Sequence, residues 1–275
     1  MVLHVRSGAP ARSESAEAAE DVFLASGLRC HLRRATVPAL GTVVFIHGGL
    51  DGGASFTRAA RRLAEFDVIT YDRRGYRGSR GVPVEPGLAI QVQDLATVLE
   101  AARLQGVTGP QVAVGHSHGG LIALGAAATG VAFDAAAAWE PPFPWLRVDP
   151  FSHHREMSLD PATEAESFFR RMVGDTAWER LGAEQRNERL ADGEALLADL
   201  QVLRGEQPFD PSDISMPVVL GLGSRTEARH AESVLALHAT IPGSHVVEFD
   251  DVGHGAHLSS PDRFAELARR SIGGI

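Results

Sequence analysis

The chain has 275 residues, 44% hydrophobic and 22% charged, the make-up of a globular protein with one large domain or a core carrying an insertion. A formal net charge of −9, with arginines scattered singly or in pairs and no basic run, argues against nucleic acid or an anionic membrane as partner. A lone cysteine, Cys30, excludes a disulfide framework within the chain, and the Cys/His spacing of a zinc site is missing.

The first twenty residues read as a polar lead-in without the apolar core of a signal peptide. No apolar run reaches the roughly 18 residues of a membrane span. A cytoplasmic location with no membrane partner is therefore expected. Val22 to Ala25 and Leu28 to Arg34 flank Ser26-Gly27 as a hairpin, and the alternation there predicts a buried thiol for Cys30. Thr42 to Ile46 is β-branched and apolar, suited to a strand buried on both faces. Residues 55 to 65 have helical spacing, Phe66 to Tyr71 is strand-like, and Leu88 to Leu104 reads as a helix ending near Gly106. Gln111 to Val114 predicts a strand, Gly119 to Ala128 a helix, and Ala135 to Trp139 a strand stopped by Pro141-Pro142.

Residues 141 to 212 break this rhythm. They hold two or three charged helical patterns, including ATEAESFFRRMV and EQRNERLADGEALLADLQVL, and no strand pattern. Strand signals resume at Pro217 to Leu222, followed by a helix near 227 to 239, a strand at Ser244 to Phe249 and a helix from Pro261 to Ser271. Alternating strands and helices predict a mostly parallel sheet with helices on both faces. Residues 1–140 and 213–275 then form the core, and 141–212 a helical insertion over one sheet edge.

Within VAVGHSHGG, Gly115 to Gly119 match G-x-S-x-G between a strand and an Ala-rich helix. Such a turn needs small neighbours to close, and it lifts the serine hydroxyl, here Ser117, above the sheet as a nucleophile. The adjacent His116 and His118 point away from that hydroxyl and are poorly placed to take its proton. They are expected to pack and hydrogen-bond around the turn. No third ligand has metal-site spacing, so no metal is expected.

With the serine turn stand Phe45-Ile46-His47-Gly48-Gly49, the Asp72-to-Ser79 loop, and Gly253-His254 followed by Pro261, in that order. Over residues 20 to 275 this set resembles the α/β-hydrolase superfamily. The resemblance implies an eight-stranded, mostly parallel sheet flanked by helices, with the insertion as a small helical cap between the sixth and seventh strands. It implies His254 as the base, with His257 the near alternative. The backbone N–H groups of Gly49 and His118 would form the oxyanion hole, each donor worth roughly 3 kcal/mol. His47, Asp72 and Arg74 are expected to hold loops together.

The sequence departs from the family pattern at the acid. Thr226 stands where Asp is common, and a neutral hydroxyl cannot offset an imidazolium charge. Glu140, in Ala138-Trp139-Glu140-Pro141-Pro142 at the end of the sixth strand, is the candidate, and a bacterial subgroup with an E-P-P motif resembles the chain here. Glu227 is the alternative. Trp139, Phe143 and Trp145 are candidate contacts to an apolar small-molecule acyl substrate, though such aromatics more often pack a cap onto its core. The expected reaction is hydrolysis of a carboxylic ester, lactone or thioester through an acyl-enzyme, without cofactor. Carbon–carbon bond hydrolysis or perhydrolysis on the same triad are alternatives, as is a non-catalytic ligand receptor on this scaffold. Oligomeric state is left open.

Overall fold

The computed structural model describes residues 20–146 and 157–273. Apart from Glu20, the expected lead-in lies outside them, as does part of the expected insertion. The strands are β1 (Glu20–Ala25), β2 (Leu28–Arg33), β3 (Thr42–Ile46), β4 (Asp67–Tyr71), β5 (Gln111–His116), β6 (Ala135–Trp139), β7 (Val218–Gly223) and β8 (His245–Phe249). They form one sheet in the order β1-β2-β4-β3-β5-β6-β7-β8. The pairs β1–β2 and β2–β4 are antiparallel; from β4 to β8 every pair is parallel.

The central strands are buried on both faces, which is why they read as continuous apolar runs. Alternate residues feed two cores. Val44, Ile46, Ala113, Ala136 and Ala138 face one; Val43, Phe45, Val112, Val114 and Ala137 face the other. The first core is covered by α2 (Leu88–Leu104), α3 (His118–Ala128) and α8 (Ala228–Thr240). The second is covered by α1 (Thr57–Ala60) and α10 (Pro261–Ile272), with α9 (Ala256–Ser259) beside them. Cys30 is fully buried, and burial pushes its thiol up to about 12, leaving it inert as an acid.

Two elements differ from expectation. The helix expected over 55–65 is a 3-10 turn at Gly53–Phe56, then α1, then tight turns with Arg62 N–H on the Ala59 carbonyl and Leu63 N–H on that of Ala60. Leu63 and Phe66, on these turns, both enter the second core. Between β6 and β7 the described residues form four helices rather than two or three: α4 (Pro161–Val173), α5 (Asp175–Arg180), α6 (Ala183–Ala191) and α7 (Gly193–Val202). The pattern expected as one helix breaks at Asp192-Gly193. Asp192 is fully buried and paired with Arg77 and Arg80, and a Cβ on Gly193 would lie 2.2 Å from the Pro161 carbonyl oxygen. Ala165, Phe169, Trp178 and Leu196 of these helices close a third apolar cluster over Leu50, just after β3. No helix among the described residues is long and apolar enough to cross a membrane.

Strand order reverses between β3 and β5: the chain proceeds outward to β4 on one side and β6 on the other. The carboxyl ends of β3 and β5 therefore flank a crevice, the usual ligand position in such sheets. Gly119, at the start of α3, makes the closest approach there; a Cβ would lie 2.1 Å from the Ile46 carbonyl oxygen. Gly119→Ala is expected to lose about 3 kcal/mol or more of stability in urea unfolding, because backbone must move. Gly182→Ala, where nothing lies within 4 Å of the added carbon, should stay within about 0.5 kcal/mol.

Candidate active site

Ser117 joins β5 to α3 with φ 52° and ψ −123°, a region costly for any residue with a Cβ. The flanking glycines make the turn possible: a Cβ on Gly115 would lie 2.1 Å from the Gly119 carbonyl oxygen. The Ser117 N–H donates to the Trp139 carbonyl at 2.9 Å, and its own carbonyl accepts from Gly120 N–H at 2.8 Å. The turn is thus strapped to β6 on one side and its own helix on the other. Gly48 presses on it from the loop after β3, where a Cβ would lie 3.2 Å from the Ser117 Cβ.

Glu140 follows β6 with φ 44° and is fully buried. Its carboxylate takes three hydrogen bonds. Gly223 N–H donates to Oε1 at 2.9 Å, Thr226 Oγ1 to Oε2 at 2.7 Å, and His254 Nδ1 to Oε2 at 2.8 Å. Thr226, where an acid is commoner, thus serves as a donor to the acid one strand away. The Glu227 carboxylate is exposed and lies 3.1 Å from Arg229.

His254 is held mainly by its backbone. Its carbonyl accepts from His116 Nε2 at 2.9 Å and from the Trp139 indole at 3.0 Å. The His116 ring is centred 4.8 Å from that of His254, which puts the imidazole beside the serine turn. His230 of α8 stacks on His254 at 4.1 Å and 15°. His257 instead meets Asp51, with Nε2 3.0 Å from Oδ2, and packs on His116 at 4.0 Å. Burial pushes the Asp51 carboxyl up, but its contact with His257 outweighs this and holds it at about 2.

Gly49 follows Gly48 in the loop beyond β3, and His118 opens α3 directly after Ser117. His47 Nδ1–H donates to the Gly48 carbonyl at 2.7 Å and Nε2 accepts the Arg73 N–H at 2.9 Å, which defines a neutral Nδ1–H tautomer. Asp72 takes Gly53 N–H and Gly78 N–H, and Arg74 pairs with Asp94 at 2.6 Å, so this loop is tied as its sequence suggested. Trp139 is fully closed to solvent, its ring 5.9 Å from Phe249 and 6.4 Å from Phe264. Phe143 is also fully buried, 5.1 Å from Trp145 and 5.3 Å from Phe209. Trp139 and Phe143, expected against a substrate, pack the core instead, because their rings complete aromatic clusters in the second and first cores respectively. Trp145 is half-buried, with its indole N–H on the Gly205 carbonyl.

Sequence reasoning missed His230 and a buried group of Arg73, Gln91 and Asp199. Among the described residues, two sets offer metal-ligand atoms within 4.8 Å of one another, Asp51–His116–His257 and Glu140–His230–His254. In each, the carboxylate is already bonded to an imidazole.

The sequence matches the profile of the "Alpha/beta hydrolase family" over residues 43–267. No curated protein matches the chain. Among solved structures, an alpha/beta hydrolase from Sphaerobacter thermophilus shares 24% identity at a TM-score of 0.68, over 91% of this chain and 99% of its own. A bromoperoxidase from Bacillus anthracis shares 19% at 0.67, over 93% and 100%. The enol-lactonase from Burkholderia xenovorans shares 16% at 0.66, over 92% and 100%. At these identities the likeness concerns the fold.

Burial lowers His47 to about 4 and His118 to about 4, and His116 well below its ordinary value. The unfolded chain binds these protons near pH ~6.5, the folded chain only at lower pH. Stability is therefore full above pH ~6.5 and falls on acidification. Unfolding free energies from urea titrations at pH 7 and 5 should differ by about 2 kcal/mol for each of His47 and His118, with the lower stability at pH 5. Equal free energies would mean that these imidazoles are charged in the fold.

Proposed function

The chain belongs to the alpha/beta hydrolase family, and on that footing we propose that it is a serine hydrolase cleaving a carboxylic ester, lactone or thioester through an acyl-enzyme. The observation that carries this is the His254 Nδ1–Glu140 hydrogen bond at 2.8 Å on a loop bonded to His116, the residue before Ser117. Ser117 Oγ attacks the acyl carbon while His254 Nε2 takes the hydroxyl proton. The imidazolium so formed is offset by Glu140 and returns the proton to the departing alcohol or thiol. Water, deprotonated by His254, then attacks the acyl-enzyme and frees the acid and Ser117.

Gly49 and His118 N–H groups hold the oxyanion in both steps, a contribution of about 3 kcal/mol per donor, because they are fixed before charge develops. The proton relay adds about 10²- to 10⁴-fold. Helices α4–α7 act as the cap, within an insertion at 141–212 on a core of 1–140 and 213–275. Over the oxyanion loop the cap presents Leu196 and Phe168, 3.1 and 3.6 Å from where a Gly49 Cβ would stand. That apolar roof suits a small acyl group. No cofactor takes part in these steps.

A fluorophosphonate should label the wild-type protein and leave Ser117→Ala unlabelled. With a p-nitrophenyl ester, Glu140→Gln should lower kcat by about 100-fold or more, and Glu227→Gln by less than about twofold. Labelling that survives Ser117→Ala would overturn the nucleophile, and the reverse ranking of the two glutamates would overturn the acid. Ligand binding without labelling or turnover would make the protein a receptor on this scaffold.

A further inference from the structure

Asp199 lies on α7, far in sequence from the serine turn, yet it is buried and joined through Arg73 to the loop after β3. Its carboxylate takes a two-pronged contact from Arg73, Nη1 to Oδ1 at 2.9 Å and Nη2 to Oδ2 at 2.7 Å. Tyr76 Oη donates to Oδ2 at 2.7 Å and Gln91 Nε2 to Oδ1 at 3.1 Å. The Arg73–Asp199 pair is almost wholly closed to solvent, with side-chain exposures of 3% and 4%, so it acts at low dielectric with little screening.

Two peptide units hang from this pair. Arg73 Nη2 also donates to the Gly48 carbonyl at 3.0 Å. In a trans peptide the C=O and the following N–H point in opposite directions, so fixing the Gly48 carbonyl aims the Gly49 N–H. The second unit is Ser117–His118. His118 Nε2 lies 3.1 Å from Gln91 Oε1 and 3.2 Å from Asp199 Oδ1. Both are acceptors, so Nε2 carries the proton, and the His118 side chain is anchored to the same carboxylate. Leu196, one turn before Asp199 on α7, covers Gly49 from above.

We propose that Asp199 is a positioning residue: from the cap helix α7 it orients, through Arg73 and Gln91, both N–H groups of the oxyanion hole. This rests on the acyl-transfer reading above. It makes α7 part of the catalytic scaffold and ties seating of the cap to competence of the hole. Asp199 touches no reacting atom, so its loss should appear in the transition state and not in substrate binding.

The test uses the full chain, with active sites counted by exhaustive fluorophosphonate labelling. Asp199→Asn keeps the shape and removes the charge facing Arg73. Expected is a fall of about 30-fold in kcat per titrated site, with KM of a p-nitrophenyl ester within about twofold. The inhibition constant of a trifluoromethyl ketone, whose adduct places an oxyanion in the hole, should rise by the same factor. A merely structural role would lower the number of titrated sites and leave kcat per site unchanged, which would overturn the proposal. So would a rise in KM at constant kcat. If Asp199→Asn does not fold, Tyr76→Phe decides, since it keeps the ion pair and removes one donor to Asp199. It should lower kcat per site about threefold at constant KM, and an unchanged kcat overturns the proposal. Wild-type protein without turnover or labelling overturns the acyl-transfer reading and this inference with it.

Discussion

Trp139 and Glu140, two consecutive residues at the end of β6, bind the other two members of the proposed triad. The Trp139 carbonyl accepts the Ser117 N–H at 2.9 Å, its indole donates to the His254 carbonyl at 3.0 Å, and Glu140 takes His254 Nδ1 at 2.8 Å. Ser117, His254 and Glu140 are therefore referenced to one buried strand end. Carrying the acid on β6 has a geometric consequence: the strand that tethers the serine backbone also carries the carboxylate. An acid on the β7 loop would reach the histidine from one strand further out.

A fully buried carboxylate is tolerable only if its oxygens are satisfied. Glu140 meets this with one backbone donor, one hydroxyl and one imidazole. Thr226 gives up the charge that an aspartate would have placed there and supplies a hydroxyl instead. A second carboxylate near Glu140 would repel it in this low dielectric. The threonine is thus the counterpart of the acid's position, and the two features need one explanation. His116 shows the same economy of charge. Burial keeps it neutral, with its Nε2 on the His254 carbonyl, so it locates His254 without adding a charge beside it.

The strands and the serine turn were legible in the sequence because their signals are local. β-branched runs buried on both faces mark β3 and β4, and the glycine spacing around Ser117 answers to backbone clashes of about 2 Å that any side chain would create. Glu140 could be read from its place at a strand end, before Pro141. What escaped the sequence depends on packing. The helical pattern of residues 55–65 gave no sign that the segment winds as a 3-10 turn, one short helix and tight turns. The charged pattern from 184 to 203 hid a break caused by Gly193 pressing on Pro161. The aromatics at 139 and 143 looked like pocket residues because sequence does not tell which side of a sheet a ring will fill. Arg73 and Asp199 are separated by 126 positions, and nothing in either neighbourhood announces the other.

That last pair bears on how an inserted layer of helices becomes part of the site. Packing alone, as between Leu196 and the oxyanion loop, is non-directional and tolerates sliding. A two-pronged arginine–carboxylate contact does not, because it fixes angle as well as distance. The insertion carries both kinds of contact on one face of α7, apolar at Leu196 and ionic at Asp199. A helix held so is seated in one position relative to the Gly48–Gly49 peptide. Transition-state stabilisation by fixed dipoles depends on that kind of rigidity, since a donor that must reorient during reaction forfeits part of its advantage. The arrangement also explains why Arg73 can be buried beside a neutral histidine: its charge is balanced by Asp199 from the insertion, not by the core beneath it.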